Sequence, residues 1–288
     1  MRNIVDAIIE VVKSPKYELE AYSISHNRAN QMGAALEDYI KDIFAGTVDE
    51  TDLNVRNRLI SETFCYLGNP NNPPDSMLKN GGDAIEVKKI EAPNAALTLN
   101  SSYPKAKLYS DSKMISSACK ISSACKNCEE WSVRDMIYAV GVLNNDKLKS
   151  LALVYGIDYC AAEETYARIK STIKTGVESI PNVEFAETNE LGRVNRVDPL
   201  GITYLRVRGM WHIENPFTVF RYIYQRDNNK DFNLMAIINT DKVEKLDNFS
   251  QLETLVESHE GLNITDAQIK DPNNPATLRN VKLITYTI

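Results

Sequence analysis

The sequence predicts an α/β protein built on a central mixed β-sheet flanked by α-helices. Three observations carry that expectation. Residues 4–12 and 27–45 repeat apolar side chains at helical spacing. Residues 135–143, 148–159 and 232–239 are near-continuous apolar runs of strand length, the pattern of strands covered on both faces. No break in composition separates these stretches, so a single domain over residues 1–288 is expected.

Taken in order, Ile4, Val5, Ile8, Ile9 and Val12 form the buried stripe of a first helix, ended by Ser14-Pro15. A second helix runs from about Asn27 to Ala45 with Ala29, Met32, Leu36, Ile40 and Ile43 inward and Gly33 allowing close approach. Glu37 and Lys41 sit at the side of its stripe, which aims Glu37 at a cleft rim. TFCYLG reads as a short strand. DSMLK and DAIEVKKI then form a hairpin about Asn80-Gly81-Gly82, residues that accept positive φ. Residues 100–117 read as a loop or broken helix leading into ISSACK, present at 115–120 and again at 121–126. Two strands joined by NNDK follow. A helix over 161–175 is expected to bury Tyr166, Ile169 and Ile173. GITYLRVRGM reads as a strand, Asn215-Pro216 as the start of a helix through PFTVFRYIYQ, FNLMAIIN as a buried strand and VKLITYTI as the last one.

Composition excludes several classes. A net charge of -6 disfavours a generic nucleic-acid coating protein but leaves room for a DNA enzyme with a local basic cleft. Asp6 and Glu10 interrupt the first apolar run, and no stretch reaches the roughly 18 apolar residues of a membrane span. The expected location is the cytoplasm. Five cysteines, an odd number, do not form a secreted disulfide framework. Cys119, Cys125 and Cys128 lack a companion histidine for zinc, and the duplication accounts for two of them. Cys65 and Cys160 read as buried thiols.

The chemistry concentrates in PPDSMLKNGGDAIEVKK. Alternation puts Ala84, Glu86 and Lys88 on one strand face and Ile85 and Val87 on the other. Asp75 lies on the neighbouring arm, and the hairpin register decides whether it faces Glu86. Two hard carboxylates suit Mg2+, which retains water and phosphate in its shell. Such a centre serves phosphodiester hydrolysis, with Asp75 and Glu86 as metal ligands and catalytic residues. Lys88 fits electrostatic stabilisation and water positioning better than general-base work, which needs a lowered amine pKa. Glu37 is either a further member of this centre or a helix-surface acid beside Lys41. Asp83, directly after two glycines, reads as a turn residue, and Lys89 faces the other side of its strand.

The run Pro74-Asp75, ten residues, then Glu86-Val87-Lys88 resembles the PD-(D/E)xK nuclease signature, preceded by the helix bearing Asn30, Gly33 and Glu37. The strings NRANQMGAALEDYIKDIF, FCYLGNPNNPPD, GGDAIEVKKIE and LGITYLRVRGMWHIENP are similar to type II restriction endonucleases of the NgoPII family, across nearly the whole chain. The resemblance implies a restriction-endonuclease-like fold, a GGCC target in double-stranded DNA cut at its centre, and a matching DNA methyltransferase. A palindromic target is most economically read by a homodimer, each subunit bringing one Asp75–Glu86–Lys88 centre. The second ISSACK copy is the visible departure from the family pattern.

Residues 101–126 hold five Lys against Asp111, and residues 190–226 hold six Arg against Glu190, Asp198 and Glu214. Phosphate contacts from such clusters position DNA, whereas a guanidinium in the major groove can read guanine. The candidates are Ser101, Ser102, Lys105 and Lys107 from the first cluster. Arg193, Arg196, Arg206, Arg208 and His212 come from the second, with Arg206 and Arg208 sharing a strand face. Solvated polar surface is the competing reading for each. Tyr103, Tyr109 and Trp131 are candidates for base stacking or for core. For the whole protein, the competing functions are a repair or recombination nuclease, a catalytically silent DNA-binding protein, and an interaction domain whose acidic motif is accidental.

Overall fold

A computed structural model describes residues 1–19, 28–99, 101–120, 131–188 and 190–288; the side chains of residues 28–32 lie outside that description. The chain opens with helices α1 (Ile4–Lys13), α2 (Arg28–Ala45) and α3 (Leu53–Thr63). Strands β1 (Phe64–Tyr66), β2 (Ser76–Leu78), β3 (Ala84–Ile90), β4 (Leu97–Thr98) and β5 (Lys107–Tyr109) follow, then α4 (Ser117–Lys120). The middle contains β6 (Val133–Asn144), β7 (Lys147–Tyr155), α5 (Gly156–Tyr159) and α6 (Glu163–Glu178). Next come β8 (Glu184–Phe185), β9 (Gly192–Asn195), β10 (Leu205–Val207), β11 (His212–Ile213) and α7 (Pro216–Val219). The last elements are β12 (Asn233–Asn239), α8 (Thr240–Val243), α9 (Phe249–Val256), β13 (Asn263–Lys270) and β14 (Leu278–Thr287).

A mixed sheet orders its strands β1-β2-β3-β6-β7-β12-β14-β13, with β5 added beside β6. β3 runs parallel to β6 and β7 parallel to β12, while the other neighbours are antiparallel. The connections explain the mixture. Short turns make β2–β3 and β6–β7 antiparallel, and long crossovers over 91–132 and 156–232 return the chain parallel to β3 and to β7. The hairpin between β2 and β3 turns where expected, with Asn80 at φ 57° and Gly81 at φ 74°.

Each sheet face carries a core. Ile85, Val87, Ala139, Leu153 and Ala236 pack under α1, α2 and α9 on one side. Tyr138, Val140, Val154, Met235 and Ile237 pack against Phe217, Phe220, Leu108 and Ile115 on the other. This two-sided cover is why β6, β7 and β12 read as continuous apolar runs. α1 buries Ile4, Val5, Ile8, Val11 and Val12, each contributing roughly 1.5–3 kcal/mol relative to exposure. Asn3 and Asp6 form a capping box that starts it.

Three sequence expectations are corrected. α6 forms, but it buries no residue: Ile169 and Ile173 stay 41% and 39% exposed, and Tyr166 instead stacks on Tyr103 and meets Trp211 edge to face. The helix begun at Asn215-Pro216 stops at Val219, so only its first turn forms. GITYLRVRGM shortens to the three residues of β10, with Leu200 and Ile202 exposed outside it. α3 was not anticipated, because only Ile60 and Thr63 are buried and no stripe shows. Asp52 caps its start, and Arg56 ties it to α2 through both oxygens of Asp42. β13 was missed for a related reason: its exposed polar residues hide an edge strand.

A polar clamp holds the N-terminal end of β3. Asp83 accepts hydrogen bonds from the Tyr155 hydroxyl (2.9 Å) and the Lys242 ammonium (3.0 Å), which also donates to Asp135 (2.7 Å). The turn residue is thus structural. Removing the cation leaves Asp83 buried with an uncompensated charge, so Lys242→Met should lower unfolding free energy by about 2–3 kcal/mol. That is less than for a fully enclosed pair because Lys242 keeps some solvent contact. Urea unfolding measures it, and an unchanged midpoint contradicts the clamp.

Candidate active site

The β2–β3 hairpin settles the register that the sequence left open. Ser76 pairs with Ile85 and Met77 with Ala84, so continuing the ladder one step places Asp75 opposite Glu86. The Asp75 amide donates to the Ile85 carbonyl at 3.0 Å. Beyond that point β2 has turned away, and the Asp75 carboxylate takes over as partner of the ladder, accepting from the Val87 amide at 2.7 Å. Gly68, at φ 82°, lies so close to the Asp75 carbonyl that a Cβ would overlap it. Only glycine fits there at low cost. The loop over 69–74 is fixed across the cleft by Asn72, whose amide donates to the Met114 carbonyl at 3.1 Å.

Glu86 and Lys88 point to the face that holds Tyr138, as the alternation required. The Lys88 ammonium is 2.6 Å from Glu86 Oε1 and 3.9 Å from Asp75 Oδ2. Glu86 Oε2 is buried with no hydrogen-bond partner, an arrangement that costs free energy unless a ligand completes it. Asp75, Glu86 and Lys88 open into a cleft of about 330 Å³ walled by Asn69–Pro73, Thr98, Leu99, Ser101, Ser102, Lys113, Met114 and Glu190.

The electrostatics follow from this crowding. Burial, then the Glu86 charge, raises Asp75 from its ordinary 3.8 to about 7 despite Lys88 and the Val87 amide. Burial works against the Lys88 charge, but Glu86, Asp75 and Glu37 outweigh it and raise its pKa. Glu37 belongs to the same field: burial raises its own pKa, partly offset by Lys41 and Lys88. Its side chain is partly buried and is not among those that line the cleft.

The candidate DNA contacts divide into groups. Ser101 and Ser102 line the cleft. Lys105 is only 7% exposed, and its ammonium donates to Ser102 Oγ at 3.1 Å and lies 4.4 Å from the Tyr103 ring centre. Burial lowers its pKa to about 8, against the opposing pull of Glu86 and Glu163. It supports Ser102 from beneath instead of meeting solvent. Lys107 pairs with Asp135 at 3.5 Å, away from the cleft wall. Arg206 grips Glu190 through Nε and Nη2 at 3.0 and 2.6 Å, and Arg208 Nε joins at 2.7 Å. Glu190 thus holds both guanidinium groups at the cleft. Arg193 lies directly across from Arg206 in the β9–β10 pair and over the Tyr204 ring, whereas Arg196 pairs with Glu184 beyond the end of β9. His212 is exposed opposite Thr98 in the β4–β11 ribbon.

Sequence reasoning missed Glu190 and the Asn69–Asn72 wall. Their partners are distant in the chain, and only the asparagine density of GNPNNPP hinted at them. Among the described residues no group of three or more His, Cys, Asp or Glu could hold a metal. Asp75 and Glu86 form a pair, which is enough for Mg2+ when water and phosphate complete its shell. Cys119 is a buried free thiol against Met77; Cys125 and Cys128 lie outside the described residues.

The sequence matches the family model described as NgoPII restriction endonuclease over residues 2–270. The chain belongs to the NgoPII restriction endonuclease family. It is 55% identical over 287 residues to the type II restriction enzyme NgoPII of Neisseria gonorrhoeae, covering 99% of each chain. No solved structure matches it. The mixed sheet with helices on its faces agrees with a restriction-endonuclease-like fold. Membership makes this a nuclease, and among the described residues no helix is long and apolar enough to cross a membrane.

In this NgoPII-family member the crowded carboxylates have a consequence for stability. A folded-state pKa near 7 against 3.8 means the folded protein holds a proton that the unfolded chain releases. Stability is therefore lost as pH rises from about 4 to 7. Asp75→Asn removes that loss, so in EDTA its Tm should exceed the wild-type Tm at pH 8, with the gap closing towards pH 4. A gap independent of pH, or a lower Tm at pH 8, contradicts the assignment.

Proposed function

We propose that this protein is a Mg2+-dependent type II restriction endonuclease that hydrolyses double-stranded DNA at a short palindromic site. The observation that carries this reading is the opposed Asp75–Glu86 pair in a cleft, with Glu86 Oε2 buried and unpartnered and Lys88 beside both carboxylates. We further propose GGCC as the site, cut at its centre, on the sequence resemblance to the NgoPII family. The same reading makes the chain one domain, a cytoplasmic homodimer acting beside a cognate DNA methyltransferase.

The residues present fit a divalent cation. Two hard oxygen donors face each other, burial and then their mutual repulsion raise the Asp75 pKa, and one oxygen lacks a partner. Bound between Asp75 and Glu86, Mg2+ would polarise the scissile phosphate and neutralise charge growing on the leaving oxygen. Lys88, kept cationic by its acidic neighbours, directs its ammonium at a nonbridging phosphate oxygen and orients the attacking water. A raised amine pKa makes it a poor base, which supports the electrostatic role. Glu37 adds negative charge that favours cation capture. Ser101 and Ser102 offer hydroxyl groups to the sugar–phosphate backbone from the opposite wall. Arg206 and Arg208 retain N–H donors beyond those given to Glu190, because each guanidinium has five.

The deciding experiment incubates purified protein with unmethylated DNA of mixed sequence, with Mg2+ or EDTA, and maps the fragment ends. Cutting at GGCC only with Mg2+ is expected. Asp75→Ala, Glu86→Ala and Lys88→Ala should each reduce the cleavage rate by about 10²-fold or more while DNA binding persists. Wild-type rates in any folded member of that set defeat the assignment. For the two arginines bound to Glu190, Arg206→Ala or Arg208→Ala should reduce discrimination against one-base variants of the site by about 10-fold or more, near the value of a bidentate base contact. Unchanged site preference and unchanged affinity would remove both from the DNA-reading set.

A further inference from the structure

We propose that Lys105 is a positioning residue that fixes the Ser102 hydroxyl as a hydrogen-bond donor, making Ser102 a binding point for one backbone phosphate of the DNA. The inference rests on the nuclease reading and gives the crossover wall of the catalytic cleft a defined task.

Lys105 is held from several directions. Its amide donates to the Tyr138 hydroxyl at 2.7 Å, and Tyr138 stands beside Glu86 in the β3–β6 ladder. Gly156 packs so closely that a Cβ there would overlap the Lys105 and Ala106 carbonyl oxygens. The wall is thereby tied to the strand next to the catalytic one. The Tyr103 ring lies 4.4 Å from the Lys105 ammonium. That ring stacks on Tyr166 at 5.6 Å, and its hydroxyl donates to Glu163 at 2.5 Å.

The side chain ends on neutral groups. Its ammonium donates to Ser102 Oγ at 3.1 Å and to the Tyr103 carbonyl at 3.5 Å, and among the described residues no carboxylate pairs with it. Glu86 and Glu163 act on it only across a longer distance, so burial prevails and lowers its pKa to about 8. It is still an ammonium at neutral pH. A buried cation without an ion-pair partner costs stability, and such a cost persists where it serves function.

Hydrogen-bond polarity supplies that function. An ammonium carries three donors and no lone pair, whereas a hydroxyl carries one donor and two acceptor sites. Ser102 Oγ therefore accepts from Lys105, and its own hydrogen turns elsewhere. Ser102 lines the catalytic cleft, and its hydroxyl donates to no group among the described residues. A phosphodiester oxygen only accepts, so it completes a chain from Lys105 through Ser102 in which every bond points the same way. It also brings the buried ammonium the negative charge that the fold withholds.

The test uses a 30-base-pair duplex with GGCC at its centre and Ca2+ in place of Mg2+. A companion set replaces one phosphate at a time with an uncharged methylphosphonate. Wild-type affinity should fall about 10-fold at one phosphate position of each strand. Ser102→Ala and Lys105→Met should each bind the unmodified duplex about 10-fold less tightly, lose nothing more at that position, and combine without further loss. Lys105→Met should also keep or raise the Tm, which a purely structural lysine would not do. Lys105→Gln, which leaves a polar group in the site, replaces it if methionine disturbs folding. A folded Lys105 variant with the wild-type interference profile overturns the proposal, as does a loss that adds to that of Ser102→Ala. Wild-type protein that cuts the duplex in Mg2+ while both variants retain its profile rejects the contact and keeps the nuclease. Matched loss at one phosphate in a protein that never cuts does the reverse.

Discussion

Two carboxylates held face to face inside a folded protein are a standing electrostatic conflict, and much of this molecule is arranged around that conflict. Asp75 is not free to swing away, since its side chain completes the ladder at the Val87 amide and Gly68 presses on its backbone. Glu86 is fixed by β3, which the hairpin flanks on one side and β6 on the other. Lys88 relieves only part of the repulsion, leaving Glu86 Oε2 without a partner. Local discomfort of this kind marks sites where selection has favoured ligand capture over stability.

The sheet makes the conflict sustainable. Ile85 and Val87 bury themselves under α2 while the intervening polar residues turn to the cleft. The same helix brings Glu37 into the field. Just ahead of β3, Asp83, Lys242, Asp135 and Tyr155 resolve a similar concentration of charge by mutual bonding. The contrast is instructive: one acidic cluster supplies its own cation and is structural, whereas the other remains short of positive charge.

Legibility in the sequence followed burial and chain distance. The strands β6, β7 and β12 were plain because both their faces are apolar, and the hairpin was plain because Asn80-Gly81 announces its turn. Glu86 and Lys88 were placed on one face by alternation alone. Their relation to Asp75 waited on a register that depends on where β2 turns away. α6 misled because its isoleucines follow helical spacing without any core to receive them. Lys105 looked like a surface cation, since nothing local reveals that Ser102, Tyr103 and Tyr138 enclose it. Glu190 could not be foreseen, because its meaning lies in two arginines on a strand well downstream.

The long crossover over 91–132 supplies the cleft wall without contributing to the catalytic hairpin: Thr98, Leu99, Ser101, Ser102, Lys113 and Met114 all lie within it. The first ISSACK copy lies there too, with Ile115 and Cys119 anchored in the core. Extra length in a connection raises the entropy of closure only slowly. That connection can therefore change length at little cost while the hairpin carrying Asp75, Glu86 and Lys88 keeps its geometry.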